Sequence, residues 1–308
     1  MKIEEFHYRS SSDICDIYAI RYIPEGQIRA ILQISHGMQE YIGRYDGFMR
    51  YLADHGILVT GNDHLGHGYS IKDKSYYGYF APKDGDVYVL KDIHELTRLT
   101  KEKYPNIPYF LLGHSMGSFF ARRYLFTYGG ELSGAIIMGT GHQGKGLVSM
   151  GKMMAKILAK QKGDFYRSKT LAATAFGSYN KRFEGRTSVD WLTKDTAIVD
   201  KYLNDERDNY LFTCNGFVGM FSCIETLYSK SNLNRMPKDL PVLFVSGEED
   251  PVGDYGKGVQ KAAETFRDAG MKDVEVKLYP GDRHEILNEL DKEKVYQDLE
   301  NWITKKTA

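Results

Sequence analysis

The sequence of 308 residues predicts an α/β protein, in which helices cover both faces of a mostly parallel sheet. Two observations predict this fold class. Short apolar segments alternate with amphipathic helical patterns over residues 1–141 and again over residues 236–308, and such repeated units build parallel sheets. Residues 142–235 have a mostly helical, irregular pattern. We therefore expect one core with a helical cap inserted after the sixth strand.

Eight segments have the apolar composition or the alternation that is typical of strands. They are residues 5–8, 14–22, 29–35, 57–60, 109–112, 135–138, 241–245 and 274–278. Helices outside the cap are predicted where apolar residues recur every three or four positions. Their cores are residues 45–52, 89–99, 119–128, 259–266 and 295–303. Gly56 and Pro105 stand where the first two of these helices should end.

The charge balance and the cysteine content limit the class of protein. The chain has 41 basic and 41 acidic residues, which argues against a nucleic-acid partner, because such binding relies on neutralising phosphates. No apolar run approaches the ~18 residues that a membrane span needs, and the N-terminus is acidic where a signal peptide is apolar. Cys15, Cys214 and Cys223 lack CxxC or metal-like spacing, which predicts reduced thiols in a cytoplasmic protein. The oligomeric state is left open.

A candidate nucleophile follows the fifth predicted strand. Gly113-x-Ser115-x-Gly117 lies between that strand and a helix, the context in which a GxSxG sequence forms a sharp turn. Glycines on either side let strand and helix approach closely, and the serine oxygen then projects above the carboxyl edge of the sheet. We predict that Ser115 is a catalytic nucleophile.

A serine hydroxyl needs a base, and the base needs an acid to orient it. Asp250 follows the strand at 241–245, and His284 follows the strand at 274–278, so the order Ser, Asp, His is that expected on such a sheet. Four other acids compete for the role of Asp250, namely Glu248, Glu249, Asp254 and Asp282. Asp250 is favoured because the proline after it fixes the turn.

An oxyanion hole is predicted beside Ser115. Ester and amide cleavage requires N–H donors aimed at the developing oxyanion. One comes from the residue after the nucleophile, here Met116, and the other from the loop that follows the third strand. In that loop Met38 is the candidate, while His36 and Glu40 are expected to hold the loop in shape.

Five motifs in order carry a resemblance to a known family. They are HGMQEYIGRY from His36, NDHLGHGYS from Asn62, GHSMGS from Gly113, SGEEDPVG from Ser246 and GDRHEILNE from Gly281. The sequence resembles the monoacylglycerol lipase and lysophospholipase branch of the α/β-hydrolases, also described as serine aminopeptidase-like. The resemblance implies the same catalytic and oxyanion residues, Ser115, Asp250, His284, Met38 and Met116. It also implies that the cap covers an acyl site, although the cap itself matches poorly.

The resemblance implies hydrolysis of a small-molecule or lipid ester, such as a monoacylglycerol or a lysophospholipid, without a cofactor. An aminopeptidase or amidase on the same triad is the alternative, and a non-catalytic binding protein on this fold is a third hypothesis. Asp63, His64 and His67 have spacing that invites a metal site. We expect no metal there, because no further Cys or His cluster completes the site and the segment resembles a structural loop of the family.

The predicted cap offers two apolar sets. Residues 144–163 have apolar side chains at helical spacing and five lysines without an acid. This helix is expected either to pack on the core or to make transient contact with a membrane or micelle. The candidates for contact with the acyl chain are Trp191, Phe212, Phe217 and Met220, for which core packing is the alternative.

Overall fold

The computed structural model describes residues 1–307 and contains one sheet of eight strands. The strands are β1 (Lys2–Arg9), β2 (Asp16–Ile23), β3 (Ala30–Ser35), β4 (Ile57–Asn62), β5 (Tyr109–His114), β6 (Gly134–Met138), β7 (Val242–Gly247) and β8 (Val274–Tyr279). Their order across the sheet is β1-β2-β4-β3-β5-β6-β7-β8. Strand β2 is antiparallel to β1 and β4, and all other pairs are parallel. The prediction of a mostly parallel sheet is confirmed.

The central strands are apolar along their whole length because helices cover both of their faces. Every residue of β3, β5, β6 and β7 is buried. In the register of these strands Ser35 pairs with Gly113, and Gly113 pairs with Ile137. The parallel strands therefore end at one edge of the sheet, and the loops that follow them meet there.

Ten α-helices lie within residues 1–307. Those of the core are α1 (Asp46–Asp54), α2 (Gly85–Lys103), α3 (Met116–Tyr128), α9 (Lys257–Asp268) and α10 (Lys292–Thr307). Between β6 and β7 lie α4 (Lys145–Lys162), α5 (Lys169–Phe176), α6 (Thr196–Asn204), α7 (Cys214–Thr226) and α8 (Lys230–Leu233). We call residues 139–241, which contain these five helices, the insert.

Helix α7 joins the insert to the core. It packs against α2 and α3 on one side and against α4 on the other. Its glycines permit the close approach, since a Cβ at Gly216 would lie 2.1 Å from the carbonyl oxygen of Gly78. In the described part of the chain, no helix combines the length and the apolar character that crossing a membrane requires.

Candidate active site

Ser115 lies on a strained turn between β5 and α3. Its backbone has φ 53° and ψ −119°, a conformation that residues other than glycine rarely adopt. The flanking glycines are sterically required. A Cβ at Gly113 would lie 2.3 Å from the carbonyl oxygen of Gly117, and a Cβ at Gly117 would lie 2.0 Å from that of Ser35. The Ser115 side chain itself is partly exposed, so a substrate can reach it.

The structure brings His284 and Asp250 together. Nδ1 of His284 lies 3.0 Å from Oδ2 of Asp250, and both side chains are buried. The ring is turned away from ideal hydrogen-bond geometry, but the two atoms are within the distance of an ion pair. Asp250 also accepts hydrogen bonds of 2.9 Å from the Ser246 hydroxyl and the Val252 N–H. Burial raises the pKa of Asp250, but His284 and these donors outweigh it and leave the pKa below its usual value.

The acids that compete with Asp250 in the sequence have other surroundings. Glu248, Glu249 and Asp254 are exposed. Asp282 is buried, and its Oδ1 accepts a hydrogen bond of 3.0 Å from Nζ of Lys194. Asp250 is thus the acid at Nδ1 of His284.

The loop after β3 passes beside Ser115. A Cβ at Gly37 would lie 3.0 Å from Cβ of Ser115, so the loop backbone touches the candidate nucleophile. Met38 is half-buried, and Met116 is the first residue of α3, where the backbone N–H has no partner inside the helix. Met116 thus follows Ser115 directly in the chain, and Met38 follows the glycine that touches it.

Glu40 fixes the shape of this loop. Its Oε1 accepts hydrogen bonds from the Gly37 N–H, from the Tyr45 hydroxyl at 2.9 Å and from Nδ1 of His114 at 3.0 Å. Burial alone would raise the pKa of Glu40, but His114 and Arg44 lower it well below its usual range. The reverse holds for His114, whose pKa burial lowers and Glu40 raises, with a net rise. Glu40 is therefore a buried anion that ties the loop to the turn carrying Ser115.

Arg44 extends this network to the loop that carries His284. Its guanidinium donates to both carboxylate oxygens of Glu285, at 2.7 and 2.8 Å, and to Glu40 at 3.2 Å. All three side chains are buried. Arg44 and Glu285 were not predicted as site residues from the sequence. The available signals were their positions inside two of the quoted motifs, four residues after Glu40 and directly after His284.

The segment with Asp63, His64 and His67 makes hydrogen bonds to the loop after β3. Asp63 accepts the backbone N–H groups of Ile42 and Tyr69 at 2.7 and 2.8 Å, and burial raises its pKa to about 7.

The histidines of this segment are buried beside His36. His64 Nε2 lies 3.0 Å from the carbonyl oxygen of His36. Burial lowers the pKa of His36 to about 4 and that of His67 to about 3. Among residues 1–307, no group of His, Cys, Asp and Glu has an arrangement that could hold a metal ion.

The four candidate contact residues of the insert lie in different places. The Trp191 ring is 5.0 Å from the His284 ring, whereas Phe212, Phe217 and Met220 are buried in the cluster between the insert and the sheet. Aromatic rings connect the two places. Ring centroids follow one another at 5.0–6.0 Å in the order His284, Trp191, Tyr179, Phe176 and Phe217.

The chain is similar in sequence and in fold to known proteins. Residues 26–291 match the family described as Serine aminopeptidase, S33. The monoglyceride lipase of Homo sapiens is 27% identical over 92% of this chain and 86% of its own. The monoacylglycerol lipase of Mycolicibacterium smegmatis is 25% identical over 96% and 97%. A solved structure of a thermostable carboxyl esterase from Bacillus coagulans, in complex with glycerol, superposes with a TM-score of 0.92 at 29% identity over the full length of both chains.

The match covers most of the chain, including the turn with Ser115 and the loops with Asp250 and His284. It also agrees with the α/β-hydrolase fold and the hydrolase class expected from the motifs. The chain therefore belongs to the serine aminopeptidase S33 family of α/β-hydrolases.

Proposed function

We propose that this serine hydrolase cleaves carboxylic esters through an acyl-enzyme on a triad of Ser115, Asp250 and His284. The observation that carries the proposal is the buried Asp250–His284 pair, with its 3.0 Å contact, at the sheet edge where Ser115 occupies a strained turn. A base held by a buried acid is what an activated serine needs.

In the proposed mechanism, His284 takes the proton of the Ser115 hydroxyl as the oxygen attacks the ester carbonyl. The N–H groups of Met38 and Met116 stabilise the oxyanion, and Asp250 stabilises the imidazolium that forms. His284 then returns the proton to the leaving alcohol, and a water molecule activated by the same histidine releases the acid. These steps use only groups of the chain and require no cofactor.

We infer that the substrate is an ester with a single acyl chain, such as a monoacylglycerol or a lysophospholipid. Relatives named monoglyceride lipase support this class. So does the series of aromatic rings that leads from His284 into the insert, since an acyl chain needs an apolar path. In this proposal residues 142–235 form the cap, and the substrate-contact residues are Trp191, Phe212, Phe217 and Met220.

We further propose that α4 touches a lipid surface. Its apolar residues are divided between two faces. Val148 and Ala155 are buried, whereas 48–58% of each of four larger side chains is exposed. These are Leu147, Met150, Met153 and Ile157. The helix also carries five lysines and no acid, which suits an anionic surface. Replacing Met150 and Met153 by Asp should reduce sedimentation with phosphatidylglycerol vesicles, without changing hydrolysis of a dissolved short-chain ester.

Amide hydrolysis on the same triad is the competing activity, as the family description suggests. An aminopeptidase needs a carboxylate that can bind the substrate amine. Three acids of the insert lie within about seven residues of Trp191 in the chain, and each is already engaged. Glu184 binds Arg283 at 2.5 Å, Asp190 accepts the Thr187 hydroxyl, and Asp195 caps α6. These three acids are thus not free to bind an amine, which favours the ester substrate.

The first experiment measures hydrolysis of p-nitrophenyl esters with acyl chains of two to sixteen carbons, beside aminoacyl-arylamides. Ser115→Ala should abolish turnover, and Ser188→Ala, which changes an exposed serine, should leave it intact. A maximum at eight carbons or longer supports an acyl path through the cap. A maximum at two to four carbons contradicts the lipid substrate. Turnover that persists in pure Ser115→Ala protein contradicts the mechanism.

The cellular location is a separate inference. All three cysteines are buried free thiols. Unpaired thiols are typical of reducing compartments, which supports the cytoplasmic location predicted from the sequence. Fractionation of cells that express the chain with a C-terminal tag tests it, and recovery in a secreted fraction contradicts it.

A further inference from the structure

A short segment of the insert runs along the loop that carries His284. We call residues 190–194 the strap and residues 282–289 the histidine loop. Hydrogen bonds from residues 190–193 to the histidine loop follow one another along the strap. They are Arg283 Nη1 to Asp190 O (2.7 Å), His284 N–H to Trp191 O (3.4 Å), Glu285 N–H to Leu192 O (2.7 Å) and Thr193 Oγ1 to Asn288 O (3.0 Å). The His284 N–H is thus bonded to the insert, whereas its carbonyl oxygen lies 3.3 Å from Nε2 of His114 at the end of β5.

Lys194 closes the strap against two buried carboxylates. Its Nζ donates to Asp282 at 3.0 Å, and its backbone N–H donates to Glu289 at 3.1 Å. Glu289 also accepts the Arg283 N–H at 2.9 Å. Asp282 and Glu289 are fully buried, whereas the Lys194 side chain is about one-third exposed. Without the lysine these carboxylates would face each other uncompensated, and the histidine loop would have to rearrange or take up a proton.

Trp191 contacts the His284 ring itself. The two ring centroids are 5.0 Å apart, and His114 contacts the same imidazole at 4.8 Å. Trp191 is held in turn, because its backbone N–H donates to Oδ1 of Asn180 at 3.0 Å and Tyr179 packs edge-on against its ring. An imidazole in contact with these two rings and with Asp250 has little freedom to turn.

We propose that the strap holds His284 in its catalytic position, with Lys194 and Trp191 as positioning residues. The insert then sets the geometry of the base as well as covering the site. The proposal rests on the proposed function, since it requires that His284 is the base. A displacement of about 1 Å in a catalytic group costs about 10²-fold in rate, so a loosened histidine loop has a measurable effect.

The first test compares Lys194→Met with Lys194→Arg, which keeps the charge, and with Lys201→Met, which removes an exposed lysine from α6. For a dissolved short-chain ester, Lys194→Met should lower kcat by about tenfold or more while KM changes less than about twofold, since positioning acts on the transition state. Labelling of Ser115 by a fluorophosphonate should slow by the same factor. Lys194→Arg should recover most of the loss.

The second test does not depend on the folding of Lys194→Met. The chain has two tryptophans, so in Trp302→Phe protein the emission reports on Trp191 alone. A protonated imidazole in contact with an indole quenches its emission. The emission of Trp191 should therefore change with pH, and the midpoint of that change should be the same as the midpoint of the pH profile of kcat/KM. The titratable groups that contact or flank the His284 ring are Asp250, His114 and Glu285, and Tyr179 contacts the Trp191 ring; all four are compared by substitution.

Three results overturn the proposal. One is a kcat for Lys194→Met within twofold of that for Lys201→Met. Another is a rise in KM alone, which would assign the strap to substrate binding. The third is a Trp191 emission that does not follow the activity profile. Failure of the proposed function is distinguishable, because wild-type protein would then neither hydrolyse esters nor react with the fluorophosphonate at Ser115.

Discussion

The contact between Gly117 and the loop after β3 yields the sharpest prediction. Gly117→Ala adds one methyl group, which would lie 2.0 Å from the carbonyl oxygen of Ser35 and 2.5 Å from that of His36. Both oxygens belong to the backbone, so no side-chain rotation relieves the clash. A carbon and a carbonyl oxygen need about 3.3 Å, which leaves the methyl group roughly 1.3 Å too close.

The start of α3 and the loop after β3 must therefore separate by about 1.3 Å. Ser115 and Met116 lie at the start of α3, so the nucleophile and one oxyanion donor move away from Met38. Since a misplacement of about 1 Å costs about 10²-fold, kcat/KM should fall by at least that factor. The overpacked core should also lose about 1–3 kcal/mol in free energy of unfolding.

The assay measures ester hydrolysis, fluorophosphonate labelling and urea unfolding for Gly117→Ala beside Gly130→Ala. Gly130 is the matched control, because a Cβ there meets nothing within 4 Å. We expect Gly130→Ala to keep wild-type activity. The reasoning is refuted if Gly117→Ala retains kcat/KM within about threefold of this control, since a methyl group would then fit where the structure leaves no room.

Three further predictions concern charge. Asp250→Asn should lower kcat by about 10⁴-fold with the fold intact, because the asparagine no longer stabilises the imidazolium; stopped-flow ester cleavage checks this. His67 has a pKa lowered to about 3 by burial, so the native state resists protonation that the unfolded chain accepts below about 6.5. Its contribution to stability is complete above that pH and is lost as the pH falls, so His67→Phe should flatten the decline of the urea midpoint between pH 6.5 and 4. Arg44→Met strips the cation from the buried Glu285 and should cost about 3–5 kcal/mol in urea unfolding, against 0–1 kcal/mol for the half-exposed Arg50→Met.

Local patterns made the strands and the turn at Ser115 predictable from the sequence. The eight predicted strands correspond to β1–β8, with ends that differ by a few residues. The strand–Gly-x-Ser-x-Gly–helix pattern is contained in residues 109–128, so its geometry depends on neighbours in the chain. Asp250 and His284 were chosen by their order after strands, and the same order brings them to one sheet edge.

Long-range contacts were not predictable in this way. Arg44 and Glu285 are separated by 241 positions, and no periodicity relates them. Residues 190–194 have no pattern that indicates contact with His284, so Trp191 could be named as a candidate but not placed. For α4 the sequence predicts an amphipathic helix without deciding which side faces the core. The structure divides its apolar residues, because α7 covers only one face.

The way the chain leaves β6 and enters β7 limits how the insert can vary. The two strands are parallel neighbours, so the chain leaves the carboxyl ends of the strands at Met138 and must return to their amino ends at Val242. Helix α7 lies on this return path and packs on α2 and α3, so it serves as the crossover helix of an ordinary β–α–β unit. Evolution, or a protein engineer building chimaeras, can vary what precedes α7 while the crossover stays, provided that residues 190–194 keep their contacts with the histidine loop. Substrate range can thus diversify in this part of the insert without endangering the sheet.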